Sequence, residues 1–332
     1  MTPSDFRDPL FVIGCSRSGT KLLRTLLNNH PQIEILGVET NFIPLFVKRF
    51  GKTPDFSDEA TLRAVYDALT QASFYQTYQA TANLAMPYDY LKTYLEEVEK
   101  TEAVGWRHLI GGVFRFYLEE PSVLVWGDKS PDYTAHIPLL REVFPQSRFI
   151  HIVRDPRDRG LSVRKAWGKN VLRSAQNWYE VMERVDRADV RTGPNYLEVF
   201  YERLLEEPEE VVRRICDFLG VPFDQNLLVL KRSAENIGAA KGQKEIVAGN
   251  KLKYRKELSA YEIRRMSEIT LPYLQVFGYP LEGAQAHRRL SPRRQNVLKL
   301  IDGFATLNIH MREKGVARGL RYYVQRNLEG RA

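Results

Sequence analysis

The sequence predicts an α/β fold: a mainly parallel central sheet with helices on both faces and a helical insertion over the functional end. Apolar runs at residues 10–13, 123–126, 149–153 and 196–200 are short and β-branched enough to be buried parallel strands. Helical patterns alternate with them, as expected of a chain that winds around a parallel sheet. No Gly/Ser-rich or Pro-rich linker interrupts residues 9 to about 280 of the 332, so residues 1–286 read as one domain, followed by a basic extension, 287–332.

The first element is the strand Leu10-Phe11-Val12-Ile13, closed by Gly14. After a short loop, Leu22, Leu23, Leu26 and Leu27 recur at helical spacing, and Asn28-Asn29-His30-Pro31 stops the helix, because proline disfavours helix at the residue before it. In such a unit the loop N–H groups and the positive end of the helix dipole converge on one spot, which suits phosphate or sulfate. Gly19 allows close backbone approach, Thr20 adds a hydroxyl and Arg17 a fixed charge. A Walker A loop is GxxxxGK[ST]; Gly14 and Gly19 keep its spacing, but Thr20-Lys21 reverses its order. The loop is therefore P-loop-like, and a P-loop nucleotide kinase stands as the alternative enzyme.

The segment CSRSGTKLLRTLLNNHP resembles the 5′-phosphosulfate loop of the sulfotransferase superfamily, written PxSGTT or PRSGTTLL. The downstream GVETNFIP resembles the tyrosylprotein sulfotransferase branch, whose Glu-Thr pair supplies the catalytic base; Glu39-Thr40 match it. The resemblance implies 3′-phosphoadenosine 5′-phosphosulfate (PAPS) as co-substrate, with adenosine 3′,5′-bisphosphate (PAP) released. It assigns Arg17, Ser18, Gly19 and Thr20, with Lys21 and Leu22 beside them, to the cofactor. Two positions depart from the pattern: Cys15-Ser16 before Arg17, and Lys21 where a second Thr is expected. A PAP- or PAPS-binding protein that lost activity through these changes is the non-enzyme alternative.

A second junction follows the strand Arg148–Val153. Asp155 is a good N-cap and Pro156 a good first helical residue, so a helix starts just past Arg154. Ser162 falls within its first two turns, where it and Arg154 could share one phosphate. RDPRDRGLS also resembles the superfamily's 3′-phosphate signature, in which Arg and Ser eight residues apart hold the 3′-phosphate of PAPS.

Sulfuryl transfer, like phosphoryl transfer, needs positioning and stabilisation of the bridging and equatorial oxygens. A sulfuryl group carries one charge fewer than a phosphoryl group, so side-chain cations can replace metal and none is expected. Arg17 is one such cation. Lys129, in the DKSP that ends the strand near 123–126, is the other, and it resembles a sulfuryl-contacting Lys of the tyrosylprotein branch. Glu39, after Ile33–Leu36, is the candidate general base; His108 is a distant second and His136 a weaker option, since neither lies in the Lys-x-His context of the cytosolic branch.

Further resemblances place Tyr201, after the strand 196–200, near adenine, Ser233 in LKRSAEN on the sulfuryl group, and Lys253 and Arg255 in an element that closes over the cofactor. Residues 55–118 form the helical insertion. Its Phe74, Tyr75, Tyr78, Tyr88, Tyr90, Tyr94, Phe114, Phe116 and Tyr117 either line an acceptor pocket or build core.

Two cysteines, Cys15 and Cys216, offer neither a disulfide framework nor metal spacing. No apolar stretch reaches a span's length and no signal segment opens the chain, so a cytoplasmic protein resembling stand-alone bacterial members is expected. Residues 287–332 hold 11 Lys or Arg against 3 Asp or Glu, which accounts for the whole net charge of +8 and leaves 38 of each sign before them. Two helical stripes, Val297-Leu300-Ile301-Phe304-Leu307 and Val316-Leu320-Tyr323-Val324-Leu328, lie in this tail. They suit packing on the body, a homodimer, or peripheral contact with an anionic membrane. Nucleic acid is not expected, because no binding motif accompanies the charge. The acceptor is a hydroxyl compound whose class (small metabolite, glycan, lipid or peptide tyrosine) the motifs leave open.

Overall fold

The computed structural model describes residues 7–120, 123–230 and 248–316. These fall into two compact units: residues 7–153 with 184–230, and residues 154–183 with 248–316. Residues 287–316 thus group with the second unit.

The first unit holds the whole sheet. Its strands are β1 (Leu10–Gly14), β2 (Ile33–Ile35), β3 (Val125–Asp128), β4 (Arg148–Val153) and β5 (Tyr196–Phe200), in the order β2-β3-β1-β4-β5. Every pairing is parallel, with Leu10 opposite Gly127 on one side and Arg148 on the other. The four apolar runs of the sequence give β1, β3, β4 and β5, and the segment Ile33–Leu36 supplies β2. All of β1 is buried, as a strand covered on both faces must be. Phe11 and Ile13 join a cluster with Phe144, Phe149 and the insertion, whereas Leu10 and Val12 are buried outside that cluster.

Helices of this unit are α1 (Thr20–Leu27), α2 (Ile43–Phe50), α3 (Glu59–Gln71), α4 (Ser73–Ala82), α5 (Tyr88–Glu99), α6 (Trp106–Tyr117) and α7 (Ile137–Val143). The second unit contributes α8 (Pro156–Trp167) and most of α9 (Val171–Arg187). The first unit resumes with α10 (Tyr201–Glu206) and α11 (Pro208–Leu219); α12 (Tyr254–Glu257), α13 (Ala260–Val276) and α14 (Pro292–Lys314) belong to the second.

Helices α3 to α6 are the expected insertion. Asp58 caps α3 by accepting from Thr61 N at 2.9 Å, and Phe74, Tyr75, Tyr88, Phe114 and Tyr117 are buried in the main cluster. Those five aromatics are core, not pocket lining: each gains about 1.5–3 kcal/mol by burial, and edge-to-face contacts such as Phe74 with Tyr117 order them. Tyr78, Tyr90, Tyr94 and Phe116 stay half-buried at its margin. Among the described residues no helix is long and apolar enough to cross a membrane.

Candidate active site

Three neighbouring strands deliver the candidate residues at their carboxyl ends, where open parallel sheets place ligands. β1 ends in the anion loop, β3 in Asp128-Lys129, and β2 leads to Glu39-Thr40. Because β3 lies between β2 and β1, Lys129 leaves the sheet between the base and the loop.

The loop is built for close approach. Gly14 and Gly19 have φ of 144° and 98°, and Arg17 between them has φ of 71°, a left-handed conformation uncommon for arginine. A Cβ at Gly19 would lie 2.4 Å from the Tyr201 ring and one at Gly14 2.5 Å from the carbonyl oxygen of Ile152. Gly19 is the N-cap of α1, so no side chain caps the first-turn N–H groups. Ser18 is fully buried, and its hydroxyl has no hydrogen-bond partner among the described residues. An uncapped helix start and an unsatisfied buried hydroxyl in one loop fit an anionic ligand. Thr20 and Leu22 are buried on α1, while Arg17 and Lys21 are half-exposed.

Glu39 and Lys129, 90 residues apart, form an ion pair. The Lys129 side chain is 2% exposed and that of Glu39 40%. Burial holds the Lys129 pKa below its ordinary value, with Glu39 pulling the other way. Beneath them runs a buried chain of hydroxyls. Thr40 Oγ1 donates to Asp128 Oδ2 at 2.6 Å, Ser130 Oγ donates to the same oxygen at 2.7 Å, and Tyr133 Oη meets Thr40 Oγ1 at 2.8 Å. Since the Thr40 proton is spent on Asp128, Tyr133 is the donor to Thr40. Burial pushes Asp128 up to about 6, and the Thr40 and Ser130 hydrogen bonds and Lys129 pull it partly back. Asp128, Ser130 and Tyr133 were not legible as site residues, because their link to Thr40 depends on the strand order. Arg24 was also missed. It sits one turn past Thr20 on α1, donates to the Gly37 carbonyl and acts electrostatically on Lys129. Tyr78 reaches the same segment from the insertion, its hydroxyl accepting from Gly37 N at 3.2 Å.

In the second unit, the RDPRDR segment behaves as its cap chemistry predicts. Asp155 accepts from Arg157 N at 2.9 Å and starts α8. Arg157 is fully buried: it grips Asp155 through two nitrogens at 2.8 and 2.6 Å, donates to Pro280 O at 2.6 Å, and lies over the Tyr254 ring at 4.5 Å. Arg159 is bonded to Ser174 and Asn177. Arg157 and Arg159 are thus structural. Arg154, 6% exposed, donates to Asn250 O at 3.0 Å, and Asp158 accepts from Tyr254 N at 3.0 Å and from Leu252 N. Arg154 and the 250–254 segment are thereby held at the start of α8, where Lys253 is half-buried; Ser162 is half-exposed further along the helix.

Arg255 is exposed and paired with Glu282 at 2.7 Å, while its neighbour Tyr254 turns inward. His108 caps α6, its Nδ1 accepting from Gly105 N at 3.1 Å and its Nε2 facing Glu102 at 3.3 Å, which makes it structural. His136 is half-exposed ahead of α7. Ser233 lies outside the described residues, as does all of the second tail stripe beyond Val316.

Comparison with known proteins places this arrangement. Residues 9–225 match the model of the sulfotransferase family. Among similar proteins, protein-tyrosine sulfotransferase A of Caenorhabditis elegans is 25% identical over 66% of this chain and 51% of its own length. Protein-tyrosine sulfotransferase 1 of Danio rerio is 26% identical over 70% of this chain and 58% of its own. The chain thus spans little more than half of those two relatives. The sulfotransferase domain from the curacin biosynthetic pathway superposes with a TM-score of 0.54 at 18% identity, covering 83% of this chain and 99% of that domain. That of the Synechococcus PCC 7002 olefin synthase gives 0.53 at 22%, covering 83% and 97%. Those two likenesses concern the fold. The family match spans the anion loop, Glu39, Lys129, Arg154 and Tyr201 together, and on it the chain belongs to the sulfotransferase family.

Proposed function

We propose that the protein transfers the sulfuryl group of PAPS to a hydroxyl of its acceptor and releases PAP. The observation that carries this reading is the Glu39–Lys129 pair at the carboxyl ends of β2 and β3, next to the uncapped loop after β1. A base and a buried cation in contact, beside an anion site, are what phosphoryl-like, in-line transfer of SO3 between oxygens requires. PAPS supplies an activated sulfuryl group on a phosphate leaving group.

The chain's residues have separable roles. The α1 N–H groups, Ser18, Gly19 and Thr20 hold the 5′-phosphosulfate. Arg154 and Ser162 are assigned the 3′-phosphate by their motif. Glu39 accepts the proton of the acceptor hydroxyl as its oxygen bonds to sulfur. Lys129 and Arg17 stabilise the charge left on the phosphate oxygen when its bond to sulfur breaks. Lys129 holds the Glu39 carboxylate, so the entering hydroxyl must share or replace that contact.

Calorimetric titration with PAP, ADP and ATP plus Mg²⁺ tests the proposal. PAP binding without metal, at least about tenfold tighter than ADP (about 1.4 kcal/mol), is expected. Arg154→Ala should weaken PAP far more than adenosine 5′-phosphate. Glu39→Gln should keep PAP affinity and lose about 10²–10⁴-fold in transfer rate. Metal-dependent ATP binding without PAP preference would return the loop to a kinase, and PAP affinity without turnover on any acceptor would leave a binding protein.

A further inference from the structure

Helix α14 is apolar on two sides, and the second unit uses one of them. On that side Leu298 and Asp302 are buried, Asp302 accepts from Asn170 N at 2.7 Å and pairs with Arg173, and Ala305 and Ile309 pass over Gly168. On the other side Val297, Leu300, Ile301 and Phe304 form a continuous stripe, 55%, 66%, 53% and 71% exposed. A helix apolar on both sides needs a partner for each.

The charges beside the stripe decide what that partner is. Arg293, Arg294, Lys299 and Arg312 are all exposed on α14. Of the helix's two acids, Asp302 and Glu313, Asp302 is buried against Arg173. At 100° per residue, Arg293, Arg294 and Arg312 fall on the same half of the helix as the stripe. Arg294 also donates to the hydroxyl of Tyr261 at 3.2 Å, which places a 59% exposed aromatic with a polar tip at the edge of the patch. A parallel second copy of α14 would set these arginines against their own kind, and an antiparallel one, with Val297 over Phe304 and Leu300 over Ile301, would leave Arg293 and Arg294 opposite Asn308 and Leu307 with no acid to pair. An anionic surface would pair with them.

We propose that this face docks on an anionic lipid surface, with Val297, Leu300, Ile301 and Phe304 entering the headgroup–acyl boundary and the flanking arginines meeting lipid phosphates. Affinity of this kind grows with buried apolar area and with the density of anionic lipid. The helix lies on the membrane and does not span it.

The test is flotation of the full chain with vesicles of phosphatidylcholine alone and of equal parts phosphatidylcholine and phosphatidylglycerol. The protein should float with the anionic vesicles and stay behind with the neutral ones. The double substitution Leu300→Asp, Phe304→Asp should reduce partition at least about tenfold, and Arg293→Glu, Arg294→Glu should do so while lowering the salt sensitivity of binding. Thermal midpoints close to wild type in both variants would show that they are folded, as the exposure of all four positions predicts. Sedimentation of the free protein should show a monomer. No flotation, flotation unaffected by either pair, or a dimer that Leu300→Asp, Phe304→Asp dissociates would each overturn the proposal. So would flotation that appears only after residues 317–332 are removed, since the tail itself would then be the cover.

Discussion

Asp128 concentrates two demands on one side chain. Its Oδ2 accepts from Thr40 and Ser130, while its Oδ1, also buried, has no partner among the described residues. Burial therefore raises its pKa to about 6, above the roughly 3.9 of an unfolded chain. The sign follows: the folded state holds this proton to higher pH than the unfolded state. The associated stability is full below about pH 4 and is lost as pH rises through about 6, by up to about 3 kcal/mol. Asp128→Asn cannot ionise and keeps an oxygen for both hydroxyls. Urea unfolding across this window should show wild-type stability falling relative to the variant by that amount. A difference that stays flat with pH would mean that the carboxylate is solvated. Thr40 hangs from this carboxylate directly beside Glu39, so the hydroxyl chain from Tyr133 fixes where the base stands. None of this was legible from residue types alone. Glu39-Thr40 and DKSP each stood out locally, yet their pairing joins positions about 90 apart and needs β2 beside β3.

At the scale of elements, the strand–loop–helix at residues 10–27 was legible nearly to the residue, because its signals are local: an apolar run, two glycines, a leucine face and a terminal proline. The cap at Asp155 was legible for the same reason. Motif proximity could not say which of Tyr254 and Arg255 turns inward; the Arg157–Tyr254 stack decides it. The sequence also gave no sign that Gly19 answers to Tyr201, 182 positions on, which contributes the ring its absent Cβ would strike. Gly19→Ala combines that clash with a φ of 98°, and should cost about 1–3 kcal/mol. Tyr201→Ala alone should cost about 3–5 kcal/mol, through the lost ring. In the double variant the clash has no partner, so the two losses should sum to at least about 1 kcal/mol less than the singles. Strict additivity would show that the ring swings aside and that only the backbone requires glycine.

For the whole molecule, charge and packing give opposite forecasts for the same change. From charge alone, removing residues 287–332 takes away the entire surplus of +8 and leaves a body with 38 charges of each sign, which should lower the isoelectric point from about 9.3 and leave the fold untouched. The second unit says otherwise. Leu290 and Leu298 are 3% and 9% exposed, Leu290 N donates to Gln176 at 3.0 Å, and Asp302 satisfies both Asn170 and Arg173. Two buried leucines are worth about 1.5–3 kcal/mol each, so the deletion should destabilise the second unit by about 3 kcal/mol or more. The expected signature is a lowered unfolding midpoint, whereas Leu300→Asp, Phe304→Asp, on the open side of the same helix, should leave that midpoint nearly unchanged. An unfolding curve that does not respond to the deletion would mean that α14 is not docked, and its two apolar sides would then be equally open. If the forecast holds, loss of lipid binding in the deletion variant reports only a damaged unit, and the contribution of the stripe has to be read from point substitutions.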